Sequence, residues 1–352
     1  MKALYIVEPG KTELREIDKP KPADGQVLLR VGMVGFCGGD LNAFRGTMPM
    51  QQYPTILGHE IGATIEVLSA NVPDNFRPGS SAIGMNVTVS PYQNCGHCTP
   101  CKRSRPNACR DNRTMGVRRP GAMTHYITAP STDIYHSQKL TLKALALVEP
   151  LTVGFHAASR GRVSPSDKVA VFGCGIVGLG AVLGSSARGA DVIAVDIVDR
   201  KLDVARKAGA RHTINSAKAN LHDALSELTD GQGPDVVIEA VGSPATFRAA
   251  VEEVVFTGRV VYIGYAKQPV EYETKLFVQK ELDILGSRNC LGDFPRVIEA
   301  LETGSPQDAS PRRFPIDDVI TKVVSLEQAG QALVNWSENP ADITKIMVNM
   351  QL

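Results

Sequence analysis

The chain has almost no net charge: its 38 Lys and Arg residues face 37 Asp and Glu residues, a balance of +1. That removes the electrostatic reason to expect nucleic acid or an anionic membrane as a partner. It also has no long apolar run. No stretch approaches the roughly 20 uninterrupted apolar residues of a membrane-crossing helix. The opening run Met1-Lys2-Ala3-Leu4-Tyr5-Ile6-Val7-Glu8-Pro9 is too short in apolar residues for a signal peptide, and the cytoplasm is the expected compartment. There is no internal repeat and no low-complexity tract. What is present is ordinary for a globular protein, with 43% hydrophobic and 21% charged residues. At 352 residues the chain exceeds one ordinary core, so two domains are expected.

The first 90 or so residues read as β-rich. Gln26 to Val34 is a strand-like run, with turn-forming residues from Pro20 to Gly25 before it and from Pro73 to Gly79 further on. From about Ser164 the pattern changes. Lys168–Phe172 reads as a short buried strand, Ile176–Arg188 as a helix, Asp191–Asp196 as a strand and Arg200–Ala208 as a helix. Pro234–Glu239 and Gly258–Ile263 continue the alternation. Strands alternating with helices of this length imply a parallel, doubly wound sheet. Beyond Gly286, Phe294–Leu301 and Leu326–Trp336 read as helices and Ile343–Val348 as a closing strand.

The strand ending at Phe172 runs into Gly173-Cys174-Gly175-Ile176-Val177-Gly178, a G-x-G-x-x-G that opens a helix. Gly173 suits the tight turn, Gly175 lets backbone approach a pyrophosphate, and Gly178 lets helix and strand pack closely. The helix N-terminus, with Ile176 and Val177, offers free N–H groups to phosphate. Asp196 ends the next strand, where a carboxylate accepts ribose hydroxyls and repels a 2′-phosphate; this favours NAD over NADP. Arg200 is a candidate to lie along the adenine, with attraction of a phosphate as the alternative.

Seven cysteines are present, and four of them crowd into fifteen residues. Cys95-x2-Cys98-x2-Cys101-x7-Cys109 supplies four thiolates, enough to close a tetrahedral zinc shell with no open position. The lobe around them, about 92–112, is poor in apolar residues, so metal would supply much of its folding energy. Spacing by itself does not join Cys37, His59, Glu60 and Glu149 into a second, catalytic site.

In order along the chain, Gly35-Phe36-Cys37-Gly38, Gly58-His59-Glu60, the four-cysteine lobe, Glu149-Pro150-Leu151, the glycine-rich turn and Asp196 together resemble the zinc-containing medium-chain dehydrogenases. The likeness is strongest to the polyol (sorbitol) and threonine dehydrogenase branch, and it spans essentially the whole chain. The resemblance implies an α/β protein: a GroES-like β-rich catalytic domain from 1–150 and 287–352, and a Rossmann-type domain from 151–286. It implies two zinc ions per chain. Cys37, His59, Glu60 and Glu149 would hold the catalytic one, and Cys95, Cys98, Cys101 and Cys109 the structural one. It implies hydride transfer from a secondary hydroxyl of a polyol, sugar or sugar acid to NAD, with zinc as Lewis acid on the substrate oxygen. Ala240, Val241, Gly264, Ser287 and Arg288 match family segments near the nicotinamide, and Arg288 also matches an arginine that reaches substrate hydroxyls. The active site is expected between the domains. A homodimer or homotetramer is expected, joined along the sheet edge within Gly258–Leu285.

Three departures from the family stand out. Gly39 replaces a Ser or Thr and Asn42 a His, both members of the usual proton relay. Ala63 replaces a glycine. Arg118 and Arg119 precede the Gly121 turn and are candidates for a carboxylate fork. Competing readings are a threonine-type amino-alcohol dehydrogenase, a zinc-free reductase of the same superfamily, and a nucleic-acid-binding zinc ribbon. The last needs a basic, aromatic face, and only Tyr92 is aromatic in that lobe.

Overall fold

The computed structural model of the chain describes residues 1–48, 51–73, 82–304, 313–340 and 343–352. Beyond Pro73, the expected turn cluster up to Gly79 lies outside the described residues. Sixteen strands are present among the described residues. They are β1 (Lys2–Glu8), β2 (Lys11–Glu16), β3 (Gln26–Gly35), β4 (Thr55–Ile56), β5 (Glu60–Leu68), β6 (Asn86–Val89), β7 (Tyr126–Pro130) and β8 (Ile134–His136). Then follow β9 (Lys168–Phe172), β10 (Asp191–Asp196), β11 (His212–Asn215), β12 (Val236–Glu239), β13 (Arg259–Tyr262) and β14 (Asp283–Gly286), and finally β15 (Lys322–Ser325) and β16 (Ile346–Asn349). No helix among the described residues is long and apolar enough to cross a membrane.

The chain divides into two units, Met1–Glu149 with Ile316–Leu352, and Pro150–Pro315. In the first, β1 pairs with β2 and β4, and a seven-stranded sheet runs β15-β16-β3-β5-β6-β8, with β7 added on β3. Its long central strands β3 and β5 slip register between Leu28 and Leu29 and again between Val31 and Met33. Such bulges bend a sheet and let it curl over its own core. That core joins residues from both ends of the chain: Ala3, Leu4 and Ile6 of β1 pack in one cluster with Leu326, Leu333, Ile346 and Val348.

The second unit is a six-stranded sheet in the order β11-β10-β9-β12-β13-β14, parallel throughout. Its central strands are apolar on both faces: Val169, Ala170, Val171, Val236, Val237, Ile238, Val260 and Val261 are all buried. A parallel sheet needs this because connecting helices cover it on both sides. The strand order reverses between β9 and β12, which defines the crevice where open α/β sheets bind ligands.

The second unit extends past the expected boundary at 286, to Pro315. The reason is the helix Phe294–Thr303, whose Phe294, Val297, Ile298 and Leu301 are buried. Its N-terminal Asp293 pairs with His156 at 3.3 Å, both nearly fully buried. The segment after β14 is therefore fastened to the parallel-sheet unit.

Candidate active site and metal centres

Register places the dinucleotide residues on one edge of the second unit. Phe172 of β9, Glu239 of β12, Tyr262 of β13 and Gly286 of β14 are direct neighbours across the sheet. Gly173, Ala240 and Ser287 follow immediately at the strand ends, with Val241 and Gly264 one residue further on. Gly173 has φ +92°, and a Cβ there would press on Val241. A Cβ on Gly178 would lie 1.8 Å from the Gly173 carbonyl, whereas one on Gly175 would meet nothing within 4 Å. Gly173 and Gly178 are therefore demanded by the turn itself. Among the described residues nothing demands Gly175, and its face stays open. The helix Ile176–Ser186 starts at Gly175 with no side-chain cap, so its first N–H groups are offered to a ligand.

Asp196 does more than close the strand. Its Oδ2 accepts the Cys174 N–H at 2.7 Å, and its Oδ1 accepts Ile197 and Val198 N–H at 2.8 and 3.0 Å. The carboxylate thus braces the glycine turn from within. Arg200 is exposed in the first turn of the helix Asp199–Lys207, and Arg288 is exposed just after Ser287. Two buried oxygens at this edge, Glu239 Oε2 and Ser287 Oγ, have no hydrogen-bond partner among the described residues. Glu239 Oε1, by contrast, accepts from Val241 N, Gly242 N and the Thr246 hydroxyl. Burial raises the Glu239 pKa, against the lowering effect of those three bonds.

In the lobe, all four cysteine sulfurs lie within 4.8 Å of one another. Cys98 Sγ is 3.4 Å from Cys101 Sγ and 3.8 Å from Cys109 Sγ, and Cys109 Sγ is 3.6 Å from Cys95 Sγ. Four sulfurs at the ordinary zinc–sulfur distance of about 2.3 Å sit about 3.8 Å apart at the corners of a tetrahedron. The donor set therefore fits zinc. Backbone N–H groups of Cys95 and Cys98 point at the sulfurs of Cys109 and Cys95. Backbone donors from Cys101 and Arg110 pull the Cys98 thiol down to about 6, while burial pushes Cys101 up to about 12.

The second cluster lies in the first unit. Cys37 caps the helix Gly38–Phe44, its Sγ accepting the Gly39 N–H at 3.3 Å while its own N–H donates to Asp40 Oδ2 at 2.8 Å. His59 follows the left-handed Gly58 (φ +94°) at the mouth of β5. Its imidazole is hydrogen-bonded to the Cys37 thiol, and its Nδ1 is buried with no hydrogen-bond partner. Burial alone would lower the His59 pKa. The bond and charge of Cys37, with the charges of Asp40 and Glu149, overcome that and hold it well above the ordinary value. The Cys37 thiol and the Asp40 and Glu149 carboxylates around this imidazole concentrate acidic groups in one place. Thiolate, imidazole and carboxylate are zinc donors, so Cys37, His59 and Glu149 fit a metal. They are more open than the lobe, since their ligand atoms do not all lie within 4.8 Å of one another. Burial, with the nearby Glu60, raises the Glu149 pKa; His59, the Tyr92 hydroxyl and Lys345 work against it.

Glu60 departs from expectation. Both its oxygens accept from Lys345 Nζ, at 2.6 and 2.7 Å, with both residues fully buried. Lys345 also donates to the Phe36 carbonyl. The cause is strand alternation: His59 and Glu60 are adjacent at the start of an extended segment and face opposite ways. Glu60 lies over Gly35, where a Cβ would be 1.9 Å from its Oε2. Glu60 is thus held by Lys345, while its charge still acts on Asp40 and Glu149. Arg119 is also committed elsewhere, donating to the carbonyls of Pro91 and Arg113. Two further residues were not legible as site members. Lys345 directly precedes the apolar start of β16, and its sequence signal is that misfit. Tyr92 donates its hydroxyl to Glu149 Oε1.

A parallel-sheet unit that presents a glycine-rich turn, a four-thiol lobe, and a half-buried thiol beside a buried imidazole and carboxylate define a two-unit, dinucleotide-linked, zinc-type dehydrogenase. The chain belongs to the zinc-type medium-chain alcohol dehydrogenase family. Residues 23–139 match the alcohol dehydrogenase GroES-like domain, and 177–303 match the zinc-binding dehydrogenase domain. It is 30% identical over 356 residues to the sorbitol dehydrogenase of Bacillus subtilis, covering 99% of this chain and 97% of that one. It is 29% identical over 305 residues to the L-galactonate-5-dehydrogenase of Escherichia coli K12, covering 86% and 88%. The crystal structure of the alcohol dehydrogenase RspB from Escherichia coli CFT073 complexed with NADH superposes with a TM-score of 0.86 at 26% identity over 99% of each chain. The protein is an oxidoreductase of this family.

Proposed function

We propose that the protein oxidises a secondary hydroxyl of a polyol, sugar or sugar acid, reversibly, and passes the hydride to NAD. The half-buried Cys37 thiol bonded to the buried His59 imidazole, with the buried Glu149 carboxylate acting on the same imidazole, carries this reading, and the relatives named for sorbitol and L-galactonate support the substrate class. Cys37, His59 and Glu149 would hold the catalytic zinc, and Cys95, Cys98, Cys101 and Cys109 the structural one. Zinc at the first position supplies Lewis acidity to a substrate hydroxyl. The chain's own residues do the rest. Asp40 orders the Cys37 loop through the Cys37 N–H, and Tyr92 orients Glu149. Lys345 keeps the Glu60 charge compensated beside them.

Gly175, Ile176, Val177 and their neighbours receive the pyrophosphate and Asp196 the ribose, with Arg200 along the adenine. Ala240, Val241, Gly264, Ser287 and Arg288 line the nicotinamide edge. The absence of a hydroxyl at Gly39 sends the substrate proton by a route other than the family's usual relay. A threonine-type amino-alcohol substrate is the second reading, since the same ligand set serves both. A cytoplasmic homodimer or homotetramer completes the proposal. Among the described residues β14 ends the parallel sheet with one edge unpaired and Ile284 exposed on it, as strand-to-strand association requires.

The test is zinc per chain, measured together with NAD⁺ reduction against polyols, aldonates, aldoses and L-threonine, before and after a chelator. Two zinc ions, with activity lost as the looser one leaves, is the expected result. One tightly held zinc with undiminished activity would remove Cys37, His59 and Glu149 from catalysis.

A further inference from the structure

We propose that Tyr92 is a positioning residue through which the four-cysteine lobe fixes Glu149 at the catalytic metal. The inference rests on the reading of Cys37, His59 and Glu149 as a metal site, and it goes beyond it. One tyrosine ties the lobe to the Cys37–His59–Glu149 group.

Tyr92 stands three residues before Cys95, in the stem from which the lobe grows. The residues on either side of it are held by the chain returning from the lobe. The Gln93 carbonyl accepts the Arg113 N–H at 2.8 Å, and the Pro91 carbonyl accepts the Met115 N–H at 3.1 Å. The Arg119 guanidinium clamps the same stem from the side, donating to Pro91 O at 3.0 Å and to Arg113 O at 3.1 Å. Just before the stem, Ser90 N–H bonds the Asp133 carbonyl at 2.8 Å. With both flanking carbonyls committed, the backbone at Tyr92 has little freedom. Its ring leaves the stem and ends on Glu149 Oε1.

Glu149 is 4% exposed, so water does not compete for that oxygen. A buried carboxylate is oriented by the donors that hold it, and the Tyr92 hydroxyl is one of them. Partners that orient a metal-binding carboxylate typically change metal affinity by about 10–100-fold when removed. The stem in turn is closed by the cysteines, because the Gln93–Arg113 bond lies just outside the Cys95–Cys109 pair, where the two chain segments of the lobe meet. Metal in the lobe therefore holds the stem, the stem holds Tyr92, and Tyr92 holds Glu149. A tyrosine that merely filled space at this position would need no hydroxyl.

The experiment uses the full-length protein loaded with both zinc ions. Zinc per chain is followed during dialysis against graded chelator for the wild type, Y92F, E149Q and the double variant, with thermal unfolding as a check on the fold. Y92F is expected to keep the lobe zinc and to lose the second zinc at roughly 10–100-fold lower chelator. The double variant should lose it no more readily than E149Q alone, because both changes break one link. Tyr92→His, which restores an N–H donor, should recover part of the retention and serves in place of Y92F should that variant fold poorly. Wild-type retention in Y92F, or losses in Y92F and E149Q that simply add, overturns the inference and leaves the metal-site reading intact. A wild-type protein that binds only the lobe zinc overturns that reading, and the inference falls with it.

Discussion

The two units solve the problem of building a site in opposite ways. In the second unit, binding is written into backbone. Glycines make room, a helix end offers N–H groups, and successive strand ends line up in register. In the first unit, the site is made of buried side chains with charge. Asp40, His59, Glu60, Glu149 and Lys345 are all at most 7% exposed. Glu60 and Lys345 meet across 285 residues of sequence. A backbone site survives many side-chain changes but tolerates no added Cβ. A buried-charge site tolerates shape changes and fails when one charge is removed.

The largest effect is therefore expected at Lys345. Lys345→Met removes one member of a pair in which both partners are buried and leaves the Glu60 carboxylate uncompensated. Breaking a pair of this kind costs about 3–5 kcal/mol, read as a lowered thermal midpoint for the first unit. Lys345→Met combined with Glu60→Leu should recover much of the loss, because a matched apolar pair is often no worse than a buried ionic one. An unchanged midpoint in the single variant would mean that Glu60 is not buried against Lys345 in solution.

In the second unit the corresponding break is a methyl group. Gly178→Ala pushes a Cβ to within 1.8 Å of the Gly173 carbonyl. Overpacking against backbone typically costs about 1–3 kcal/mol, and the glycine turn should lose NADH binding along with stability. Gly175→Ala meets nothing within 4 Å in the protein. Its thermal midpoint should match the wild type while NADH affinity falls by roughly tenfold or more, equivalent to about 1.4 kcal/mol. Titration of NADH by fluorescence and a melting curve on each variant separate the two. Equal losses of stability in both would contradict the division between a turn glycine and a ligand glycine.

The same contrast governs what the sequence revealed. The second unit was legible because each of its elements is local. Lys168–Phe172 and Asp191–Asp196 are found at the expected residues, and the helix after the glycine turn ends two residues short of Arg188. The domain end was not legible, because the pull of Asp293 on His156 is a tertiary contact with no periodic signal. In the first unit the motifs around Cys37 and His59 were visible, but not the partners that decide what each carboxylate does. Lys345 captures Glu60 from the far end of the chain, and Tyr92 reaches Glu149 across 57 residues. Arg119 looked available for a substrate carboxylate and instead holds the lobe stem.

Asp196 joins the two styles, since it is a charged side chain bound to backbone. Asp196→Ser removes the charge that opposes a 2′-phosphate, so the ratio of NADPH to NADH affinity should rise on the order of tenfold. It also removes the acceptor that braces the Cys174 N–H, so absolute affinity for both cofactors should fall. Measuring both dissociation constants decides the matter. A changed ratio without a general loss would mean that the brace contributes nothing to the turn. A general loss without a changed ratio would mean that the ribose end is read by another residue.

The smallest effect belongs to a surface pair, and it is the control for the buried ones. His222 lies 2.9 Å from Glu253, and the hydrogen bond and charge of that carboxylate raise the imidazole pKa. For a base whose pKa is higher folded than unfolded, the stabilisation is fully present below the unfolded value of about 6.5 and disappears as pH rises through the folded value. The His222 side chain is 73% exposed, so water and salt screen most of the interaction. Raising the pH from about 5.5 to about 9 should therefore shift the thermal midpoint slightly more in the wild type than in Glu253→Gln, and added salt should erase the difference. A pH effect at this pair as large as the loss in Lys345→Met would show that burial is not what separates the two regions.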